Sequence, residues 1–132
     1  MKIHKAVVVI NEQHTLLKEQ EEILKSEYDS IEIVKIPADG LTAGEQEKLA
    51  YEIHKQVDEG YLWPKNPPDV IFVSPVPYLL KRLVQMAMVG GMDCTVDERY
   101  KVLIFHNDNR EKKELPGGKV ISIVSQTGWQ LV

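Results

Sequence analysis

The chain has 132 residues, of which 43% are hydrophobic and 27% are charged, and its formal net charge at pH 7 is -4. This length and balance are typical of one globular domain, so we expect residues 1–132 to form a single domain and not a disordered or fibrous chain. Because the net charge is negative, the surface as a whole would repel a long nucleic acid or an anionic membrane, and neither is expected as a partner.

The cysteine content and the first residues bear on the compartment. Cys94 is the only cysteine, which excludes an internal disulfide and gives neither a zinc site nor a redox pair. The apolar run at residues 6–10 is too short for the core of a signal peptide or for a membrane span. We therefore expect a cytoplasmic protein.

The first third of the chain is predicted to form strand, helix and strand. Residues 6–10 are apolar on both faces, as in a strand buried between helices, and this strand ends at Asn11. Apolar positions at helical spacing follow from Leu16, and Thr15 is the expected N-cap. Residues 31–36 form the second predicted strand, which Pro37 ends because proline lacks the backbone donor.

The middle third repeats this alternation. Thr42 and Glu45 have capping-box spacing and begin a second predicted helix that runs to about Glu59. A rigid, proline-containing connector at residues 60–69 leads to a third buried strand at residues 70–73. The next helix has a wide apolar stripe and is expected to end at Gly90 and Gly91.

The pattern changes after Gly91. Residues 101–105 and 119–124 flank Pro116-Gly117-Gly118 with no helical stretch between them, which predicts a β-hairpin. Residues 129–132 are expected to add a short strand or to dock as a tail. The predicted fold class is therefore α/β: a Rossmann-like three-layer domain with a parallel sheet (βαβαβα), followed by a C-terminal β-hairpin extension.

Several specific catalytic and cofactor motifs are absent from the sequence. There is no GxGxxG, Walker, HExxH or GxSxG motif and no Cys/His cluster. We therefore expect neither a cofactor nor a metal ion, and only metal-free chemistry remains arguable.

Two loops are candidate binding sites, because ligands of open parallel sheets bind outside the carboxyl ends of the strands. The first loop carries Asn11, His14 and Thr15 at a helix N-terminus, where backbone donors favour an anion. Simple helix capping explains these residues equally well. We expect the turns at residues 11–15 and 74–78 to meet at one rim of the sheet.

The second loop begins at Ser74 and continues into a helix. The ring of Tyr78 is suited to stacking on a base, and Lys81 and Arg82 are suited to approaching a phosphate. The alternative is that these two cations only form the solvated face of an amphipathic helix.

These segments resemble a known family. The chain opens with a buried strand, then a polar segment and a glutamine-containing helix, and then a strand that ends in proline; the residues concerned are Asn11, His14, Thr15, Leu16, Gln20 and 31–37. This pattern is similar to that of small stand-alone CRISPR accessory proteins with a CRISPR-associated Rossmann fold, which include ring nucleases. The likeness covers the first third of the chain. Beyond it, the element order and a basic stretch at residues 110–113 are shared.

The resemblance implies a homodimer that binds a cyclic oligoadenylate, or another small nucleotide, across its two-fold axis. Some members of the family also cleave this ligand without a metal, by attack of a ribose 2′-hydroxyl on the adjacent phosphate. The implied ligand contacts are Asn11, His14, Thr15, Ser74, Tyr78, Lys81 and Arg82. The resemblance assigns no catalytic residue.

Two other functions remain open on the sequence alone. One is a non-enzymatic interaction module, in which the apolar third helix and the hairpin edge contact a partner. The other is a nucleoside-processing enzyme, which would need a carboxylate such as Glu12 or Asp108 directed into a pocket.

Overall fold

Strands and helices alternate along the first two thirds of the chain, as the sequence predicts. The computed structural model describes residues 4–62, 68–90, 96–98, 100–107, 109–124 and 127–132. The elements are β1 (Lys5–Asn11), α1 (Lys18–Glu27), β2 (Ser30–Ile36), α2 (Ala43–Leu62), β3 (Asp69–Phe72), α3 (Pro77–Ala87), β4 (Met88–Gly90), β5 (Val96–Glu98), β6 (Val102–His106), β7 (Arg110–Glu114), β8 (Val120–Val124) and β9 (Gln130–Leu131).

The main sheet has five strands in the order β2-β1-β3-β6-β9. The first four strands are parallel, with Val8 of β1 level with Ile33 of β2 and with Ile71 of β3. Only β9, at one edge, is antiparallel. The α/β class and the Rossmann-like parallel sheet are therefore confirmed.

Burial on both faces explains why β1 lies inside the sheet. Val7 and Val9 pack into one core with residues of α2 and α3, while Ala6 and Val8 pack into a second core with Leu24 of α1. Successive side chains of a strand point to opposite faces, so an apolar residue at every position requires a cover on both sides. The result is three layers, with α1 on one face of the sheet and α2 and α3 on the other.

The predicted start of α2 is confirmed and that of α1 is wrong. Thr42 Oγ1 accepts a hydrogen bond from the Glu45 amide, and Glu45 Oε1 accepts one from the Thr42 amide, which completes the capping box. In contrast, α1 begins only at Lys18, and Thr15 is exposed and is not its N-cap. The Gln20 side chain accepts from the Leu17 amide instead, so a residue inside the helix satisfies a donor at its start.

The predicted hairpin forms, but with a different first strand. Residues 110–114 pair with residues 120–124 around the Pro116-Gly117-Gly118 turn. Residues 102–106 instead pair in parallel with β3, because their side chains pack alternately into both cores, as those of an interior strand do. The C-terminal tail adds the short strand β9.

Two further boundaries differ from the sequence prediction. The third helix ends at Ala87, and Gly90 lies in β4 rather than closing the helix. The second helix continues to Leu62, and no helix of the described residues is both long and apolar enough to cross a membrane. Gly91, Cys94, Asp108 and residues 63–67 of the connector lie outside the described residues.

A buried tyrosine ties the end of α1 to the start of β3. The Tyr28 hydroxyl donates to Asp69 Oδ2 at 2.7 Å, and His4 Nε2 lies 3.4 Å from the same oxygen. Burial, and then the hydrogen bond to the Asp69 carboxylate, raise the pKa of Tyr28 well above its usual range. The neutral phenol is therefore the form that the fold stabilises.

Replacing Tyr28→Phe should destabilise the protein by about 1.5–3 kcal/mol at neutral pH, because a hydrogen bond to a charged group is lost. Above about pH 10 the tyrosine ionises in the unfolded chain but not in the folded one, so the native protein loses this stability as pH rises. The difference between the two proteins should then shrink by about 1.4 kcal/mol per pH unit.

Urea unfolding at neutral and alkaline pH would measure both effects. Tyr51→Phe is the matched control, because Tyr51 is 57% exposed and its loss should change little. A stability difference for Tyr28→Phe that stays constant across this pH range would contradict the assignment.

Candidate functional site

The strand order of the main sheet reverses between β1 and β3. From β1 the chain passes to β2 on one side, and it then returns to β3 on the other side. A crevice at such a point, outside the carboxyl ends of the strands, is the usual ligand site of an open α/β sheet. The loops after β1 and β3 both leave the sheet here.

Ser74 joins these two loops. Its hydroxyl oxygen accepts a hydrogen bond from the Asn11 amide at 2.8 Å and lies 2.7 Å from His14 Nδ1. Ser74 is only 3% exposed, so its hydroxyl is largely shielded from water although His14 is exposed. The structure thus brings Asn11, His14 and Ser74 together, at the rim where the sequence places them.

The Asn11 side chain makes its own loop compact. Asn11 Oδ1 accepts from the Gln13 amide at 2.9 Å, and Asn11 Nδ2 donates to the Pro37 carbonyl at 3.4 Å. The His14 amide donates to the Asn11 carbonyl and closes a turn. An asparagine that bonds to the backbone two residues ahead is a common way to hold such a turn. The His14 backbone is therefore fixed in place before any ligand arrives.

His14 is the chemically accessible member of this group. Its side chain is exposed, and Nε2 makes no hydrogen bond with the residues that the structure describes. When the Ser74 hydroxyl donates to Nδ1, the neutral ring carries its proton on Nε2 and presents a donor to the outside. Ser74 itself is buried and occupied by two partners, so it supports the histidine and is poorly placed to act as a nucleophile.

Tyr78 and Arg82 form a second group, which centres on Glu47 of α2. Arg82 Nε and Nη2 donate to the two carboxylate oxygens of Glu47 at 2.7 and 2.8 Å, and the Tyr78 hydroxyl donates to Glu47 Oε2 at 3.0 Å. The hydrogen bond from Arg82 lowers the pKa of Glu47, and Glu47 in turn raises the pKa of both Arg82 and Tyr78. Much of the positive charge of Arg82 is therefore compensated.

The other two candidates on these loops, Thr15 and Lys81, are both exposed. Neither forms a hydrogen bond or an ion pair with a described residue. Lys81 thus presents a cation that Glu47 does not neutralise.

Sequence reasoning missed Glu47 and Gln46. The Gln46 side chain accepts from the Leu79 amide at 3.1 Å and so caps the first turn of α3. Both residues lie on α2 and act on α3, and their spacing within α2 carries no sign of it. Of the carboxylates proposed for a nucleoside-processing enzyme, Glu12 accepts from the Ala38 amide at 2.7 Å, and Asp108 lies outside the described residues.

The structure also has an open groove away from this rim. The groove has a volume of about 500 Å³ and lies between α1 and the β6–β9 edge, and its lining includes Tyr28, Asp69, Lys101 and Trp129. Among the described residues, no group of three or more His, Cys, Asp or Glu side chains is arranged to hold a metal ion.

Replacing Ser74→Ala should cost about 1–3 kcal/mol, because the Asn11 amide is left without a partner beside the buried end of β1. Denaturant unfolding would measure this cost, and amide exchange at Asn11 should become faster. Ser26→Ala is the control: its hydroxyl is exposed, and we expect a change below about 0.5 kcal/mol. Unchanged exchange at Asn11 would contradict the bridging role of Ser74.

Comparisons with protein-family models, with curated proteins and with solved structures find no match to this chain.

Proposed function

We propose that this chain binds a small anionic nucleotide, of the cyclic oligoadenylate class, at the rim formed by residues 11–15 and 74–78. The observation that carries the proposal is the bridge from Asn11 and His14 to Ser74, which holds two loops together at the point of strand reversal. A site of this kind is organised before the ligand binds, which reduces the entropy lost on binding.

The side chains at this rim suit a ligand that carries both phosphates and bases. His14 presents Nε2 as a donor, and Lys81 adds an exposed positive charge one turn into α3. Tyr78 is 38% exposed although its hydroxyl is bound to Glu47, so part of this residue is accessible to a base that would stack on it. Phosphate recognition and base stacking together favour a nucleotide over a simple anion.

A homodimer is part of the proposal. A rim at the edge of one sheet is open to solvent on its outer side, and a two-fold partner would double each polar group around a compact cyclic ligand. Two rims placed together would combine their positive groups. The site would then be locally positive even though the net charge of each chain is -4. We place this dimer in the cytoplasm, with no membrane and no long nucleic acid as partners.

Ring-opening cleavage is a separate activity that the same rim would support by positioning. A ribose 2′-hydroxyl of the ligand would lose its proton and attack the adjacent phosphorus, and the bond from phosphorus to the 5′-oxygen would break. The 5′-oxygen would take up a proton, so the products would be a 2′,3′-cyclic phosphate end and a 5′-hydroxyl end. His14 is the described group best placed to donate a hydrogen bond to the phosphate. Linear products would reveal this activity by chromatography.

A specific observation also favours the second candidate, an interaction module. Ile121 and Ile123 of β8 lie on the same face of the strand and are 38% and 37% exposed, while Val120 on the opposite face is 59% exposed. Two exposed isoleucines on one face of a strand favour contact with a protein partner, whether or not the rim binds a nucleotide.

The double substitution His14→Ala with Lys81→Ala should weaken binding of a cyclic oligoadenylate by about tenfold or more, because a donor and a charge at the rim are lost. Both side chains are exposed, so the free energy of unfolding should change little. Isothermal calorimetry measures the affinity. Lys25→Ala, which removes an exposed charge at the last turn of α1, is the control. Equal affinity in the parent and the double variant, or no binding by the parent, would remove the proposal.

Glu47→Gln should act in the opposite direction. It frees Arg82 from a carboxylate that competes with phosphate, and we expect affinity for the same nucleotide to rise about two- to fivefold, the scale of an exposed ion pair. Glu52→Gln makes the same change of net charge on the exposed surface of α2 and separates the local effect from a general one. Equal gains in both variants would show that Arg82 takes no part.

A further inference from the structure

The amino-acid sequence of the strand β8 is palindromic. Residues 120–124 read Val-Ile-Ser-Ile-Val, so the sequence is the same in both directions from Ser122. When such a strand pairs with a second copy of itself in antiparallel fashion, identical residue types lie opposite each other along its length. We propose that β8 is a self-association edge, at which two copies of this chain pair β8 with β8 about a two-fold axis through Ser122.

The outer edge of β8 is free to form this pair. Among the described residues, β7 and β8 make a sheet of two strands, so the side of β8 away from β7 has no strand partner. At the turn, the Leu115 amide donates to the Lys119 carbonyl, which directs the Lys119 backbone toward β7. Backbone groups alternate along a strand, so those of Val120, Ser122 and Val124 point outward. These are the groups that a pair centred on Ser122 would use.

The distribution of charged residues favours β8, and not β7, as the edge that pairs with a second copy. The strand β7 has the sequence Arg-Glu-Lys-Lys-Glu, and such charges, lysine above all, are a common protection of an edge against association. The strand β8 has no charged residue. A second copy that paired along β7 would therefore have to remove charged side chains from water, and this cost does not arise at β8.

The side chains of β8 also gain from the pairing. Ile121 would lie opposite Ile123 of the partner subunit, so four isoleucines would share one face of a four-stranded sheet. These isoleucines are partly exposed in the single chain, and cross-strand contact would remove some of that surface from water. An isolated two-stranded hairpin has only marginal stability, and the pairing would make it part of a four-stranded sheet.

The expected dimer is weak. One pair of five-residue strands buries less than the roughly 800 Å² per partner of a stable interface, so the association should be reversible on dilution. The proposed interface requires only β8 and does not depend on nucleotide binding. All tests are therefore made without nucleotide, and their failure would leave the proposed function untouched.

A cysteine on the axis gives a direct test. In a Cys94→Ser background, Ser122→Cys places two cysteines opposite each other with Cα atoms about 5.5 Å apart, within the range of a disulfide. Mild oxidation should convert most of the protein to a covalent dimer on a non-reducing gel. Lys112→Cys is the matched control: it is level with Ser122 on the neighbouring strand, but its mate would lie about 15 Å away.

A charge at the same position tests the reversible dimer. Ser122→Lys would set two ammonium groups face to face, and sedimentation velocity should show the dimerisation constant weakened at least tenfold. Ser26→Lys adds the same charge at an exposed serine of α1 and should leave the dimer intact. Equal cross-linking at residues 112 and 122, or a parent chain that stays monomeric at the highest soluble concentration, would overturn the proposal.

Discussion

Burial of β1 on both faces is the constraint on which the rest of this structure depends. Its alternate side chains enter two separate cores, so the strand must lie between parallel neighbours that are themselves covered by helices. Parallel strands end at the same edge, and the reversal of order between β1 and β3 makes the loops that follow these two strands neighbours there. Asn11 and Ser74 meet because of this topology, although 63 positions separate them in the sequence.

Local signals were sufficient to predict the fold where each element carries its own pattern. The apolar run at residues 6–10 and the capping box of Thr42 and Glu45 are properties of single segments, and both were predicted correctly. The strand that pairs with β8 was predicted wrongly. Residues 102–106 and 110–114 compete for that position, and the charged strand β7 lacks the apolar alternation that marks a strand. The structure shows that the side chains of β6 pack into both cores, so β6 lies in the main sheet and β7 is the strand that pairs with β8.

The candidate site also has one part that the sequence predicts and one part that it does not. The rule for parallel strand ends was enough to predict that the loops containing Asn11, His14 and Ser74 would meet. The environment of Arg82 was not predictable, because its carboxylate partner, Glu47, comes from another helix and depends on how α2 packs against α3. Contacts between helices depend on crossing geometry, which no pattern within one helix encodes. An arginine next to a proposed phosphate site is therefore better judged after its ion pairs are known.

The proposed rim and the proposed self-association edge are connected through β6. This strand is parallel to β1 and β3, so the hairpin that follows it starts from the same edge of the sheet as the rim. Asn107 anchors that start, because its side chain donates to the Thr127 carbonyl and its own carbonyl accepts from Arg110. The base of β7 is thereby tied to the main sheet, so a partner subunit held at β8 is tied to it as well. A dimer formed through the proposed β8 edge would therefore be joined to the end of the sheet that also carries the proposed rim.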